Sequence, residues 1–355
     1  MFSTCIDKDG EYVYECDQTV CLIEDDIIEQ VNSGDNSWTA SNYTFFWGSS
    51  RFEGYNLHLG TFLPFDAAYA IRSHDEPADI PSELDLREEF TFLENFDQGK
   101  CSASYAISTL AVFNARIWRN SPIASPRLSI QELVSCVDEM PYGCGGGDVL
   151  DAWFHIKEKG VTLEELYPYE SGNSNETLTC SVEAEYVRDR KTRDSYRDRC
   201  PEGHNASYWR SNEAIRLTCE EDIQREIINY GPVQAFMNVS HDFFMYSEGV
   251  YDPIDAPPME NRVTHSVMLL GWGVEQGKKY WIGRNSWGSG KEVDDSHWGE
   301  CYDDGYVESC GFFRVSRGTG VLDETMVVAA DPIMDCHMQN NPGGQESSMY
   351  DTKTK

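Results

Sequence analysis

Apolar positions along this chain fall into distinct regimes. From Ile27, Ile28 and Val31 a helical spacing opens, and it gives way to an aromatic stretch through Trp38, Phe45, Phe46 and Trp47. A second helical pattern starts at Ser104, where Ala106, Leu110, Val112, Phe113 and Ile117 supply an apolar face and predict a helix to about Trp118. Further on, a short apolar run, Val267–Leu270, follows His265. No run reaches the roughly 18 apolar residues that would span a membrane. The two ends carry little periodicity: residues 1–26 hold Cys5, Cys16 and Cys21 among acidic residues, and 333–355 are polar and expected to be disordered.

With 355 residues, 40% of them hydrophobic, there is room for more than one folding unit and enough apolar content for a core. A formal charge of −33 argues against a nucleic-acid partner. Twelve cysteines, together with glycosylation sequons at Asn42, Asn175, Asn205 and Asn238, favour an oxidising compartment and a secreted glycoprotein. Met1-Phe2-Ser3-Thr4-Cys5 has neither the charged start nor the apolar stretch of a signal peptide, so the sequence reads as truncated or mis-started.

The chemistry concentrates in three segments. Cys101-Ser102-Ala103-Ser104-Tyr105 follows the pattern Cys-Gly-Ser/Ala-Cys-Trp/Tyr except at the second position and at the fourth, the reactive one. His265 lies in Thr264-His265-Ser266-Val267, and Asn285 in Tyr280-Trp281-Ile282-Gly283-Arg284-Asn285-Ser286-Trp287-Gly288, with Gly271-Trp272-Gly273 between them. Alone, a histidine before an apolar run is ordinarily a satisfied core residue, and an asparagine can simply cap a turn. In this order, the segments resemble the papain family of cysteine proteases, with Ser104 where the nucleophilic cysteine belongs. His265 and Asn285 stand 161 and 181 positions beyond Ser104, more than the usual spacing of about 130–150, which implies an insertion.

That resemblance implies an α+β, two-lobed fold: a helical left lobe carrying Ser104, and a β-rich, barrel-like right lobe carrying His265 and Asn285. It also implies roles. Ser104 is a degenerate nucleophile, His265 the general base, Asn285 its orienting partner, Trp287 a shield over that pair, and Gln98 an oxyanion donor together with the Ser104 backbone N–H. Serine changes the physics, because an alkoxide is far harder to form than a thiolate. A helix N-terminus contributes only about 0.3–1 kcal/mol at an ordinary site, too little for a standing alkoxide–imidazolium pair. Concerted proton transfer to a neutral histidine remains open to serine, but a site shaped for sulfur places oxygen poorly, and ~1 Å of error costs about 10²-fold. Negligible peptidase activity is therefore expected.

The Val31–Gly48 stretch and the serine-substituted, cathepsin B-like domain together resemble the tubulointerstitial nephritis antigen family, over roughly residues 16–332. Members are secreted, matrix-associated glycoproteins regarded as inactive, some binding matrix proteins or cell-surface receptors. The division expected from this is 1–26, the end of a small Cys-rich module; 27–79, a cathepsin B propeptide-like segment whose Leu59-Gly60-Thr61 lies across the cleft; 80–332, the papain-like domain; and 333–355, a disordered tail. The resemblance also implies disulfides Cys101–Cys144 and Cys136–Cys180. Cys200–Cys219 and Cys301–Cys310 are local guesses, while Cys5, Cys16, Cys21 and Cys336 stay unassigned. Ala103-Ser104-Tyr105-Ala106 also looks like silicatein, a serine-substituted relative, and an active peptidase using Ser104, His265 and Asn285 is the further alternative. The occluding loop of cathepsin B should fall near 170–215, where His204 stands without a His-His pair, so dipeptide release from a C-terminus is not expected.

Two charged segments complete the reading. Arg188, Arg190, Lys191, Arg193, Arg197 and Arg199 crowd before Cys200, interleaved with Asp189, Asp194 and Asp198; a solvated loop or protease-sensitive tip is the ordinary interpretation, and a docking surface for sulfated glycans or acidic matrix proteins the sharper one. Ser289–Cys310 carries Glu292, Asp294, Asp295, Glu300, Asp303, Asp304 and Glu308, which fit no EF-hand and read as a solvated, disulfide-pinned loop. Gly143-Cys144-Gly145-Gly146-Gly147 belongs to the papain-like pattern rather than to a phosphate-binding loop. No cofactor or metal is expected. Partners would be matrix proteins, receptors or a peptide-like ligand in the cleft.

Overall fold

The helix predicted from Ser104 is present as Ser104–Asn120. In the computed structural model, which describes residues 21–62, 70–73, 79–90, 96–120, 126–137, 143–181, 209–254, 263–288, 297–303 and 308–333, every residue from Ser104 to Ile117 is buried. A helix covered on all sides is a core element rather than a surface one. Two of its hydroxyls bond within the helix: Ser108 and Thr109 donate to the carbonyls of Ser104 and Tyr105 at 2.6 and 2.7 Å.

The described helices are α1 (Asp25–Ser33), α2 (Arg51–His58), α3 (Ser104–Asn120), α4 (Ile130–Cys136), α5 (Val149–Glu158), α6 (Ser171–Ser174) and α7 (Glu220–Tyr230). The strands are β1 (Trp38–Ala40), β2 (Thr61–Phe62), β3 (Ala70–Ile71), β4 (Leu84–Asp85), β5 (Gly147–Asp148), β6 (Ile215–Leu217), β7 (Val233–Val239), β8 (Tyr246–Tyr251), β9 (Val263–Glu275), β10 (Lys278–Arg284), β11 (Glu300–Asp303), β12 (Glu308–Ser316) and β13 (Leu322–Ala329). Helices α3 and α5 pack through Phe113 and Trp153, rings 6.0 Å apart, and α3 lies against β9. The large sheet runs β1-β8-β12-β10-β9-β7-β13-β6-β3, with β11 beside β12 and β4 beside β9. This is an α+β arrangement, helices on one side and a mixed sheet on the other.

One hairpin decides where the site forms. Gln276 and Gly277, between β9 and β10, both take positive φ, 51° and 82°, as a two-residue turn matched to strand twist requires. The resulting register sets Met268 opposite Arg284, and Asn285 leaves β10 beside His265.

Residues 21–62 pack onto the same body. Helix α1 starts at Asp25, two residues before the expected Ile27, with Asp25 and Asp26 in its first turn, where the helix dipole favours negative charge. Helix α2 is opened by a reciprocal cap, Glu53 N–H donating to Ser50 Oγ and Ser50 N–H to the Glu53 carboxylate. Strand β1 pairs antiparallel with β8, and Trp38 Nε1 donates to Asp252 O at 2.9 Å. Leu22, on the far side of the boundary expected at residue 26, is buried along with Val31, Trp38, Phe46 and Leu59.

Disulfides Cys101–Cys144, Cys136–Cys180 and Cys301–Cys310 are formed. The Cys200–Cys219 pairing is corrected: Cys219 forms no disulfide and its thiol donates instead to Asp222, 3.3 Å away at the start of α7. The solvated-loop reading also fails for Glu300. That carboxylate is 10% exposed and accepts from Arg314 Nε, Tyr246 OH and Gly249 N–H at 2.8–3.0 Å. Cys5, Cys16, Cys200, Cys336, His204, Asn205, the Arg188–Arg199 patch, Glu292, Asp294, Asp295 and Asp304 lie outside the described residues, as does the tail beyond 333.

Candidate active site

Ser104 opens α3 directly after Cys101, whose disulfide to Cys144 ties the segment to the glycine turn at 143–147. The serine is fully buried, and its Oγ lies 2.8 Å from Thr61 Oγ1. Among the described residues no hydrogen bond joins Ser104 to His265. Thr61 donates its one hydroxyl proton to Ser266 Oγ at 2.9 Å, so in the bond to Ser104 the serine must be the donor. Ser108 donates its own proton to the Ser104 carbonyl at 2.6 Å, so in its 2.8 Å contact with Ser266 the proton comes from Ser266. The result is a closed ring, Ser104 to Thr61 to Ser266 to Ser108 and back to the Ser104 carbonyl. Gln234 Nε2 braces it by donating to Ser108 Oγ at 2.6 Å. Rings of this kind polarise each member in the same sense and hold every hydroxyl in place. The proton of Ser104 points at Thr61.

The other half of the constellation has the expected internal geometry. His265 Nε2 lies 2.7 Å from Asn285 Oδ1, which also accepts from Ser286 N–H at 2.8 Å. An oxygen that already accepts must be faced by a protonated nitrogen, so Nε2 carries the hydrogen and Nδ1 is bare. Burial pushes the His265 pKa down to about 4, against the opposing pull of the Asn285 bond; the ring is neutral near pH 7. Nδ1 is buried and makes no hydrogen bond. Trp287 lies over the pair, its ring 5.3 Å from the imidazole.

The N-terminal segment occupies the space between these halves. Gln98 Nε2 donates to Leu57 O and to Cys101 O, both at 3.1 Å, so the expected oxyanion donor already holds a backbone carbonyl. Trp287 Nε1 donates to His58 O at 2.9 Å; Ser102 Oγ donates to Asn56 O, and Thr264 Oγ1 to Thr61 O. Strand β2 pairs in parallel with β5, Thr61 beside Gly147. Gly60 makes the approach possible: its φ is 105°, and a Cβ there would fall 2.5 Å from the Ser102 Cβ. A separate internal cavity of about 10 Å³, lined by Ile107, Ser108, Ala111, Ser266, Met268 and Asn285 among others, has room for one water.

The structure thus brings Gln98, Ser104, His265, Asn285 and Trp287 together, as the motifs predict. The sequence reading gave no role to the hydroxyls of Thr61, Ser266 and Ser108 or to His58. Leu59-Gly60-Thr61 marked the strap, but nothing in the sequence pairs hydroxyls 43 and 205 positions apart. Burial, then repulsion from His265, pushes the pKa of His58 down to about 3. His297, Cys301 and Cys310 place ligand atoms within 4.8 Å of one another, yet both sulfurs are joined to each other, which leaves no thiolate for a metal. Of the sequons, Asn42 and Asn175 are exposed, whereas Asn238 sits in β7 with its amide donating to Gly320 O at 3.0 Å.

Residues 80–327 match the model of the papain family cysteine proteases. The chain is 34% identical to a tubulointerstitial nephritis antigen-like protein of Mus musculus, over 89% of this chain and 69% of that one. It is 32% identical to tubulointerstitial nephritis antigen of Homo sapiens, over 89% and 67%. Among solved structures, procathepsin B S9 of Trypanosoma congolense superposes with a TM-score of 0.68 at 23% identity, over 88% of this chain and all of that one. A recombinant stem bromelain precursor does so at 0.63 and 22%, over 86% and 87%; both show the fold alone. With its helix-borne Ser104, its His265–Asn285 pair and its three formed disulfides, the chain belongs to the papain family, in the group of the tubulointerstitial nephritis antigens.

Proposed function

We propose that this chain is a secreted, matrix-associated papain-like protein that acts by binding and not by peptide hydrolysis. The observation that carries the reading is the hydroxyl ring. A nucleophilic serine must give its proton to a base during attack, and here that proton is directed to Thr61, while the bare Nδ1 of His265 makes no hydrogen bond. The amide that would stabilise an oxyanion is engaged by Leu57 O as well. Residues 27–79 act in this reading as a retained propeptide-like segment, and the partners are matrix proteins or receptors that meet the exterior. Exposed Asn42 and Asn175 would carry glycans.

A hydrolase using Ser104 through His265 is the competing reading, favoured by the intact 2.7 Å bond between His265 and Asn285. Wild type, Ser104→Ala and Ser104→Cys compared on a peptide library decide between them. Equal, background turnover by wild type and Ser104→Ala is expected; wild-type turnover well above Ser104→Ala overturns the proposal. Any gain in Ser104→Cys measures how well the rest of the machinery is aligned.

A further inference from the structure

About 18 Å along α3 from Ser104, at 1.5 Å per residue, a second polar cluster lies at the edge of the large sheet. Arg116 is fully buried, and its Nη1 donates to Glu226 Oε1 at 2.9 Å and to Asp331 Oδ1 at 2.7 Å. Glu226 is also fully buried. The same two carboxylates hold a second guanidinium, Arg72, which comes from the N-terminal segment. Its Nη1 reaches both oxygens of Glu226 at 2.9 and 3.2 Å, and its Nη2 reaches Asp331 Oδ2 at 3.1 Å. The Arg72 guanidinium lies 4.7 Å from the centre of the Tyr230 ring, and its backbone N–H donates to Arg216 O at 3.1 Å. Residues Ala70 and Ile71 pair in parallel with Ile215 and Arg216. The flanking Ile71 is 66% exposed, so the arginine enters the site while its neighbour faces away.

We infer that Glu226, Asp331, Tyr230 and the edge of β6 form an arginine-recognition site, filled in cis by Ala70-Ile71-Arg72, that accepts an extended arginine-bearing peptide of another protein when the cis segment is withdrawn. The chemistry of each contact points to this class of ligand. One side of the site is a strand edge, which binds backbone without regard to sequence. The other is a pair of carboxylates spaced for a planar fork, with an aromatic face above it; lysine matches the charge but neither the fork nor the stacking. Withdrawing Arg72 takes away the guanidinium fork that binds both oxygens of Glu226 and Oδ2 of Asp331. The carboxylate oxygens that Arg72 held are then open to a forked, charge-assisted hydrogen-bond donor, which a guanidinium supplies. The strand edge makes that cation part of an extended chain. The site shares no residue with the cleft, and it stands or falls independently of the binding reading given above.

The test uses the full chain and a labelled synthetic peptide with the sequence of residues 68–74, followed by fluorescence anisotropy. Arg72→Pro removes both the guanidinium and the backbone donor to Arg216; Arg72→Ala, milder for folding, runs through the same arms. Either variant is expected to bind the peptide at least about tenfold more tightly than wild type, whose own segment competes at high effective concentration. Replacing the peptide's arginine by lysine should weaken binding about tenfold or more, and adding Glu226→Gln to the Arg72 variant should do the same. Equal binding to wild type and to both Arg72 variants, or equal binding of the arginine and lysine peptides, overturns the inference and leaves Arg72 as an intramolecular anchor only.

Discussion

One segment grips the two halves of the cleft by different physics. On the side of His265, aromatic contacts join the hydrogen bonds to His58 O and Thr61: Phe46 lies 5.6 Å from Trp287 and 5.4 Å from Phe244, with His58 5.0 Å from Phe46 and 6.2 Å from Trp287. On the side of Ser104 contact is polar, through the Thr61 hydroxyl, Leu57 O on Gln98 and Asn56 O on Ser102. Apolar burial is strong and indifferent to direction, whereas a hydrogen bond contributes little net energy and fixes geometry. The aromatic side should therefore carry the strength of the closure, and the polar side should decide what Ser104 can do.

The sharpest way to break this comparison is Phe46→Ala. Phe46 is 1% exposed, and deleting a buried phenylalanine costs about 3–5 kcal/mol. Urea unfolding should show a loss in that range. A loss near 1 kcal/mol would mean that the aromatic side is not where the segment is held.

Acid should act next, and on the same side. His58 and His265 are neutral in the folded chain, with pKa values pushed down to about 3 and about 4 by burial, and in His58 further by His265. Unfolded histidines titrate near 6.5. Between pH 6.5 and 4 the unfolded state therefore binds more protons than the folded one, and stability falls as pH falls. The full contribution is present above pH 6.5. Each histidine adds up to about 1.4 kcal/mol per pH unit to that slope. Replacing His58 by Gln should remove its share, read from urea midpoints between pH 7 and 5; an unchanged slope would place His58 in contact with water.

The two sides also differ in how much of them the sequence disclosed. His265 and Asn285 lie at the two ends of strands joined by a two-residue turn, yet it was the family resemblance that paired them. The helix beginning at Ser104 declared itself by its apolar spacing, and Cys101–Cys144 followed from family pattern. The hydroxyl ring draws Thr61, Ser104, Ser108 and Ser266 from three distant segments, and small hydroxyl residues carry no periodic signal. Glu300 misled for a related reason: in an acidic run it looks solvated, and only the fold shows that Arg314 and Tyr246 converge on it. Cys219 was matched with Cys200, 19 positions back, whereas its thiol turns to Asp222, three positions on.

The smallest effect is the most diagnostic for function, because it tests the ring itself. In Thr61→Val the side chain keeps its shape and loses the hydroxyl, which leaves the buried Ser104 and Ser266 hydroxyls each short of a partner; about 1–3 kcal/mol is expected. Ser104→Ala removes only a donor, since Thr61 still donates to Ser266, and should cost less. In the double variant the orphaned Ser104 hydroxyl no longer exists, so the combined loss should fall short of the sum by roughly 0.5 kcal/mol or more, as for residues sharing one network. Additive losses would mean that Ser104 and Thr61 do not share a proton, and Ser104 would then be free to turn toward His265. A clear shortfall places Ser104 and Thr61 in one hydrogen-bonded network, as the ring requires.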